Sequence, residues 1–140
     1  MKSTLIKIED IKIKFFVRTG INLENVKCLK DLYESNDPVN PIKVTILEDK
    51  TYELIDGRHR IEAAKEAGFS TIQAHVSKNL DDKTKILNAV KFNIGGALPP
   101  TLSDFEHSIE LLINLKLSRK EILNSFPLPI SITSSIISKL

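Results

Sequence analysis

The densest chemical signal in the 140-residue chain is the run Asp56-Gly57-Arg58-His59-Arg60, which places two of only four arginines around one of three histidines. Guanidinium groups match phosphate oxygens two at a time, and a histidine adds a further donor or cation. Gly57 would let backbone approach a ligand closely. If a helix begins just after it, the unpaired N–H groups and dipole of the first turn add positive potential. Together these make an anion site whose natural guest is a polyphosphate. Asp56 adds a carboxylate beside it. Such a group can hold Mg²⁺, which keeps most of its waters, or can orient a hydroxyl for phosphoryl transfer. Asp-Gly is also a common turn, and a basic first turn is often plain solvated surface. The choice depends on the elements around the run.

Those elements are readable. Ile6, Ile8, Ile11 and Ile13 imply an extended, partly buried start. Asn22 is placed to cap a helix carrying Leu23, Val26, Leu29 and Leu32, which Asn36, Asp37, Pro38 and Pro41 stop. Ile42, Val44 and Ile46 alternate as a strand, Glu48-Asp49-Lys50 turns, and Thr51 to Ile55 return. Asp56-Gly57 breaks that strand. Arg58 to Ala67 has no Gly or Pro and reads as a helix closed by Gly68. Ile72, Ala74 and Val76 form another strand. Residues 79–93 read as a helix with Ile86, Ala89, Val90 and Asn93 on one face. The basic run therefore lies at a strand-to-helix turn, which favours the functional reading.

Gly95-Gly96 and Pro99-Pro100 mark a joint. Beyond it Ser103 with Glu106, and Ser118 with Glu121, have capping-box spacing. Phe105, Ile109, Leu112 and Ile113 stripe the first helix, the second is short and ends at Pro127, and Ser131 is placed to cap a last helix. The fold expected is α+β: a small mixed sheet with flanking helices over residues 1–94, then a helical subdomain over 95–140 that resembles the start of a helix-turn-helix.

Composition narrows the class. The chain is 41% hydrophobic and 27% charged, as globular domains are, and a net charge of +2 neither supports nor excludes nucleic acid. Cys28 is the single cysteine, so an internal disulfide and the paired-cysteine zinc motifs are excluded. It is expected in the core or half-buried on the first helix. His75 and His107 are expected at the surface, and the histidines show no ligand spacing, so no metal site held by them is expected. No apolar run reaches membrane-spanning length and the start lacks a signal-peptide core, which points to the cytoplasm.

The stretch PIKVTILEDKTYELIDGRHRIEAAKEAGFSTIQAHV, Pro41 to Val76, resembles the core of the ParB/sulfiredoxin superfamily. There a Pro-Ile-x-Val strand, a hairpin, a Gly-x-x-Arg phosphate motif opening an Ala-rich helix, a Gly cap and a further strand follow one another. Arg18 to Ser35 fits the helix before that strand. The resemblance implies that Gly57 and Arg60 are the defining residues of the phosphate motif, with Arg58 and His59 at its variable positions. In ParB proteins the motif takes the triphosphate of CTP, so a nucleoside triphosphate, CTP or ATP with or without Mg²⁺, is the implied cofactor. A second ParB motif matches Asn88 and Lys91 in spacing. Leu87 stands where that motif has Glu, and Arg58-His59-Arg60 stand where ParB has Glu-Arg-Arg. The resemblance thus implies binding and leaves hydrolysis open. Sulfiredoxin chemistry is excluded because Arg58 replaces its catalytic cysteine.

Three readings remain. The first is a ParB-like DNA-associated protein of partition, or of plasmid or mobile-element maintenance, with Gly57, Arg58, His59, Arg60, Asn88 and Lys91 on the nucleotide. In its last helix Thr133, Ser134, Ser135 and Lys139 would meet DNA phosphates. That helix has no Arg, Asn or Gln for bidentate base reading. Its Ile132, Ile136, Ile137 and Leu140 allow homodimerisation instead. The second is a free-serine-kinase-like phosphotransferase with Asp56 and Glu34 in catalytic roles, although Glu34 is also read as an ordinary solvated carboxylate. The third, a nuclease, ranks lowest because no dense carboxylate cluster is present.

Overall fold

Period-two apolar residues of the first half build a five-stranded mixed sheet in the computed structural model, which describes residues 2–95 and 98–140. The strands are β1 (Thr4–Lys7), β2 (Ile11–Lys12), β3 (Ile42–Ile46), β4 (Tyr52–Asp56) and β5 (Thr71–Ser77), in the order β1-β5-β3-β4-β2. β3 runs antiparallel to β4 and parallel to β5, so the chain makes a hairpin and then crosses over through helix α2 (Arg58–Glu66). β1 pairs antiparallel with β5, and the two-residue β2 parallel with β4. The chain is α+β with a small mixed sheet and flanking helices, as expected. The extended start is interrupted by a 3-10 turn, Ile8–Asp10.

Packing groups the chain into two units, Met1–Phe16 with Gly20–Asn79, and Val17–Thr19 with Leu80–Leu140. In the first unit the core joins Ile6, Ile8, Ile42, Val44, Leu54, Ile61, Ala64, Ile72 and Ala74. β3 is the central strand, so both its faces are covered: Val44 is buried on one and Thr45 on the other. Ile46, read from alternation as inward, is instead exposed where β3 meets its turn. Helix α1 (Leu23–Glu34) starts at Asn22, whose side chain accepts from the Asn25 N–H at 3.0 Å, and packs on α2. Its apolar stripe differs from the expected one. Val26 is buried, while Leu23 and Leu32 are exposed. Cys28, expected in or near the core, is an exposed free thiol. Spacing alone places a residue near a helix face, and the angle at which α1 meets α2 decides which side is covered.

The second unit holds α3 (Asp82–Asn93), α4 (Leu102–Asn114), α5 (Arg119–Ser125) and α6 (Ile130–Ser138). Ile86, Val90, Ile109, Leu112, Ile122, Phe126 and Ile136 are buried there, and Phe105 meets Phe126 edge-on at 6.2 Å. Two helix starts differ from the expected ones. The capping box of α4 is Thr101 with Asp104, not Ser103 with Glu106. Both pairs have the spacing, but Asp104 has further donors. Its carboxylate accepts from the Thr101 N–H, the Thr19 N–H and hydroxyl, and the Arg18 guanidinium. Arg18 also donates to the Asn93 amide oxygen at 2.8 Å and to the carbonyls of Leu98 and Pro99. α6 starts at Ile130 behind Pro129, whose carbonyl takes the Thr133 N–H at 3.0 Å, so Ser131 lies inside the helix. The box of Ser118 with Glu121 is formed as expected. Of the expected joint, Gly95 follows α3 at φ 79° and Gly96 lies outside the described residues. Among the described residues no helix is long and apolar enough to cross a membrane.

Candidate functional site

The turn from β4 into α2 can be made only by glycine, for two reasons. Gly57 has φ 128°, a conformation that residues with a Cβ rarely adopt. A Cβ there would also lie 2.4 Å from Ile42 Cγ2 and 2.8 Å from Ile42 Cβ on β3. The first intrahelical bond of α2 runs from the Ile61 N–H to the Gly57 carbonyl at 3.0 Å. The backbone N–H groups of residues 58–60 thus precede the helical ladder, and no side chain caps the helix. An anion placed there would meet the positive end of the helix.

The three basic side chains of that turn have different partners. Arg60 is 16% exposed and faces inward. Its Nη1 donates to the Asn40 carbonyl at 2.9 Å and the Pro41 carbonyl at 2.6 Å, and its Nη2 to Asp56 Oδ2 at 3.1 Å. One side chain thereby ties the loop before β3, the end of β4 and the start of α2 together. Tyr33 of α1 is close enough to feel it: burial pushes the Tyr33 phenol up, against the opposite pull of the Arg60 charge. His59 is an acceptor, its Nε2 taking the Asn22 N–H at the start of α1 at 3.0 Å, and its ring lies 6.2 Å from Phe16. Arg58 stacks on the same Phe16 ring at 5.4 Å, and its Nε donates to Glu62 at 3.3 Å. Its two terminal nitrogens make no hydrogen bond among the described residues, and the side chain is 30% exposed.

The expected residues are thus partly assembled. Gly57, Arg58, His59, Arg60 and Asp56 share one turn. Asp56 is occupied by Arg60. Glu34 lies on the last turn of α1, half-exposed and 3.5 Å from Lys30, the solvated carboxylate its sequence position suggested. Asn88 and Lys91 lie on α3 of the second unit, the first partly buried and the second exposed. In α6, Ser135 and Lys139 are exposed, and Ser134 accepts from Arg119 at 2.6 Å. Thr133, expected at a DNA surface, is fully buried, and its hydroxyl donates to the Pro129 carbonyl within its own helix. His75 and His107 are partly buried rather than exposed. Among the described residues no three His, Cys, Asp or Glu side chains cluster as metal ligands. Sequence reasoning missed Phe16, Tyr33, the Asn22 N–H and the carbonyls of Asn40 and Pro41. Each is distant in sequence and carries no local signal; only a repeated Phe15-Phe16 stands out.

With this geometry in hand, comparisons place the chain. No curated protein matches it. Among solved structures it is similar to the C-terminally truncated chromosome-partitioning protein ParB of Caulobacter crescentus complexed with CTP-gamma-S, at 20% identity and TM-score 0.61, over 99% of this chain and 86% of that one. The same protein complexed to the centromeric parS site matches at 20% identity and TM-score 0.61, over 96% and 70%. Sulfiredoxin of Arabidopsis thaliana matches at 25% identity and TM-score 0.51, over 56% and 88%. A mutant free serine kinase in complex with AMP matches at 10% identity and TM-score 0.50, over 98% and 73%. At these identities the likeness is one of fold. The sequence family is more specific, since the ParB N-terminal domain matches residues 2–94, from β1 through α3 and across the whole Gly57 turn. The chain therefore belongs to the ParB N-terminal domain family.

Proposed function

We propose that this chain is a ParB-like, DNA-associated protein that takes a nucleoside triphosphate, CTP in the first instance, with its phosphates at the first turn of α2. The observation that carries the reading is the Gly57 turn. Within a ParB N-terminal domain, a glycine-only conformation sets the first N–H groups of α2 beside Arg58, whose terminal nitrogens make no hydrogen bond among the described residues. Arg58, His59 and Arg60 supply the basic environment. The fold likeness to a ParB complexed with CTP-gamma-S supports the choice of nucleotide, and the parS complex of that protein supports DNA as a partner. The carboxylate of Asp56 is held by Arg60, so Mg²⁺ would arrive with the nucleotide and keep most of its waters. In the helical unit, Ser134, Ser135 and Lys139 are the proposed phosphate contacts for DNA.

The test is calorimetric titration of the intact chain with CTP, ATP and ADP in the presence of Mg²⁺. CTP is expected to bind ahead of the adenine nucleotides. Preference for ATP or ADP would move the assignment to a phosphotransferase that uses Asp56. Binding of none of the three by folded protein would refute the nucleotide reading. Asn88→Ala and Lys91→Ala variants in the same titration show whether α3 contributes. DNA association is read by fluorescence anisotropy, where Lys139→Ala should weaken binding by a similar factor on any sequence, as loss of a phosphate contact does.

A further inference from the structure

The five-stranded sheet has two edges, and they are unlike. β2 is two residues long and offers little to pair with. β1 is the other edge, bonded to β5 on one side. Its register fixes which backbone groups are left over. Thr4 lies opposite Ala74 and Ile6 opposite Ile72, and the Ile8 N–H continues the series by donating to the Ser70 carbonyl at 2.9 Å. In an antiparallel ladder, residues that exchange both bonds with the neighbouring strand alternate with residues that exchange none. Thr4, Ile6 and Ile8 therefore turn their N–H and C=O groups to β5, and Ser3, Leu5 and Lys7 turn theirs outward. All three outward residues are exposed, Leu5 at 57%. β1 contains no proline, and its register with β5 is unbroken.

We infer that β1 is a self-pairing edge: a second copy of this chain adds its own β1 antiparallel, centred on Leu5, and the two sheets become one. Centring on Leu5 sets every outward residue against another. Leu5 meets Leu5 of the second copy, and on either side Ser3 meets Lys7. Three such pairs, with two backbone bonds each, form six bonds about a two-fold axis. Moving the centre by one residue, to Thr4 or to Ile6, keeps two of the three pairs. The Leu5-centred register also brings the two exposed leucines onto one face, with Cα atoms about 5.5 Å apart, where each covers the other. Charge suits the same register. A lysine on an edge normally deters pairing. Here Lys7 lies opposite a serine rather than its own copy, and Lys2 runs alongside Ile8 of the second copy, next to the exposed Glu9. The proposal is independent of the nucleotide reading, since it uses no residue of the Gly57 turn.

Sedimentation velocity of the intact chain over a concentration series reads the association, which an interface of this size makes reversible. Leu5→Pro removes an outward N–H and sets a ring on the edge, while β1 keeps its bonds to β5, because Leu5 supplies none of them. Wild type is expected to pass from monomer to dimer as concentration rises. Leu5→Pro is expected to stay monomeric throughout with an unchanged circular dichroism spectrum. A Cys28→Ser background removes the single native thiol. In it, Leu5→Cys should oxidise to a covalent dimer, and Lys7→Cys should not, because residue 7 and its copy would lie about 14 Å apart. Should Leu5→Pro lose its fold, the two cysteine variants carry the test. A wild type that remains monomeric over the whole series would overturn the proposal. So would a dimer that folded Leu5→Pro leaves intact, or cross-linking as fast from position 7 as from position 5.

Discussion

Gly57→Ala and Gly68→Ala form a matched pair that isolates the close approach of β3 to the Gly57 turn. Both glycines have positive φ, 128° and 87°. A Cβ at Gly68 meets nothing within 4 Å, so Gly68→Ala carries backbone strain alone, roughly 1–2 kcal/mol. At Gly57 the same strain is joined by a collision with Ile42 Cγ2 at 2.4 Å and Ile42 Cβ at 2.8 Å. Ile42 is fully buried in the central strand and cannot withdraw, so an overpacking cost of roughly 1–3 kcal/mol is added. Gly57→Ala should therefore cost about 2–5 kcal/mol. Urea unfolding followed by circular dichroism measures both. With a slope of about 2 kcal/mol per molar urea, the midpoint should fall by about 0.5–1 M for Gly68→Ala and by about 1–2.5 M for Gly57→Ala. In an Ile42→Ala background, which removes Cγ2, the added cost of Gly57→Ala should shrink, giving a coupling energy on the order of 1 kcal/mol. Equal midpoints for the two glycine variants, with no coupling to Ile42, would refute the steric argument and with it the claim that only glycine makes this turn.

Other expectations follow from particular contacts. Burial pushes the Asp104 carboxyl up, but the Thr101 and Thr19 N–H groups, the Thr19 hydroxyl and Arg18 outweigh it and hold the group below the usual carboxylate range. Its contribution is full above the unfolded carboxylate value and is lost as pH falls through the folded one. The Asp104→Asn deficit in urea midpoint should thus be constant near neutrality and narrow toward about pH 3, and equal deficits at both would contradict this. Arg18→Ala strips the cation from a pair whose side chains are 10% and 7% exposed, and should cost about 3 kcal/mol by the same assay. Cys28 should react with a disulfide reagent at once in the native protein, and a thiol that titrates only after denaturant is added would show it buried. Thr133→Val should leave DNA affinity unchanged, because the hydroxyl is bonded inside its own helix, and a loss of affinity would place it at the contact surface.

Local sequence determined a good deal of this protein. Alternation at Ile42 and Val44, the Asn22 cap, the Asp-Gly break and the Gly68 cap each act within a few residues, so the hairpin, α2 and the strand after it were readable in order. The position of the basic turn was readable for the same reason, since glycine, two arginines and a histidine at a strand-to-helix junction constrain one another directly. What a single helix face buries was less readable. Leu23, Cys28 and Leu32 on α1, and Thr133 on α6, have ordinary helical spacing, and only the packing of neighbouring elements decides which of them meets solvent. The start of α4 was settled by Arg18 and Thr19, far away in the chain, which chose Asp104 over an equally spaced Glu106.

The contacts of each side chain inside the turn belong to tertiary structure. As letters, Arg58 and Arg60 are the same residue two positions apart. In a helix that step turns the side chain to another face. One arginine thereby reaches the carbonyls before β3 and the carboxylate ending β4, while the other lies on Phe16 and pairs with Glu62. The sequence by itself determined that positive charge gathers at the start of α2, because side-chain chemistry is carried by residue type. Which of those charges is paired within the protein was decided by the acceptors that folding brings near, the Asn40 and Pro41 carbonyls among them, and these lie some way back along the chain.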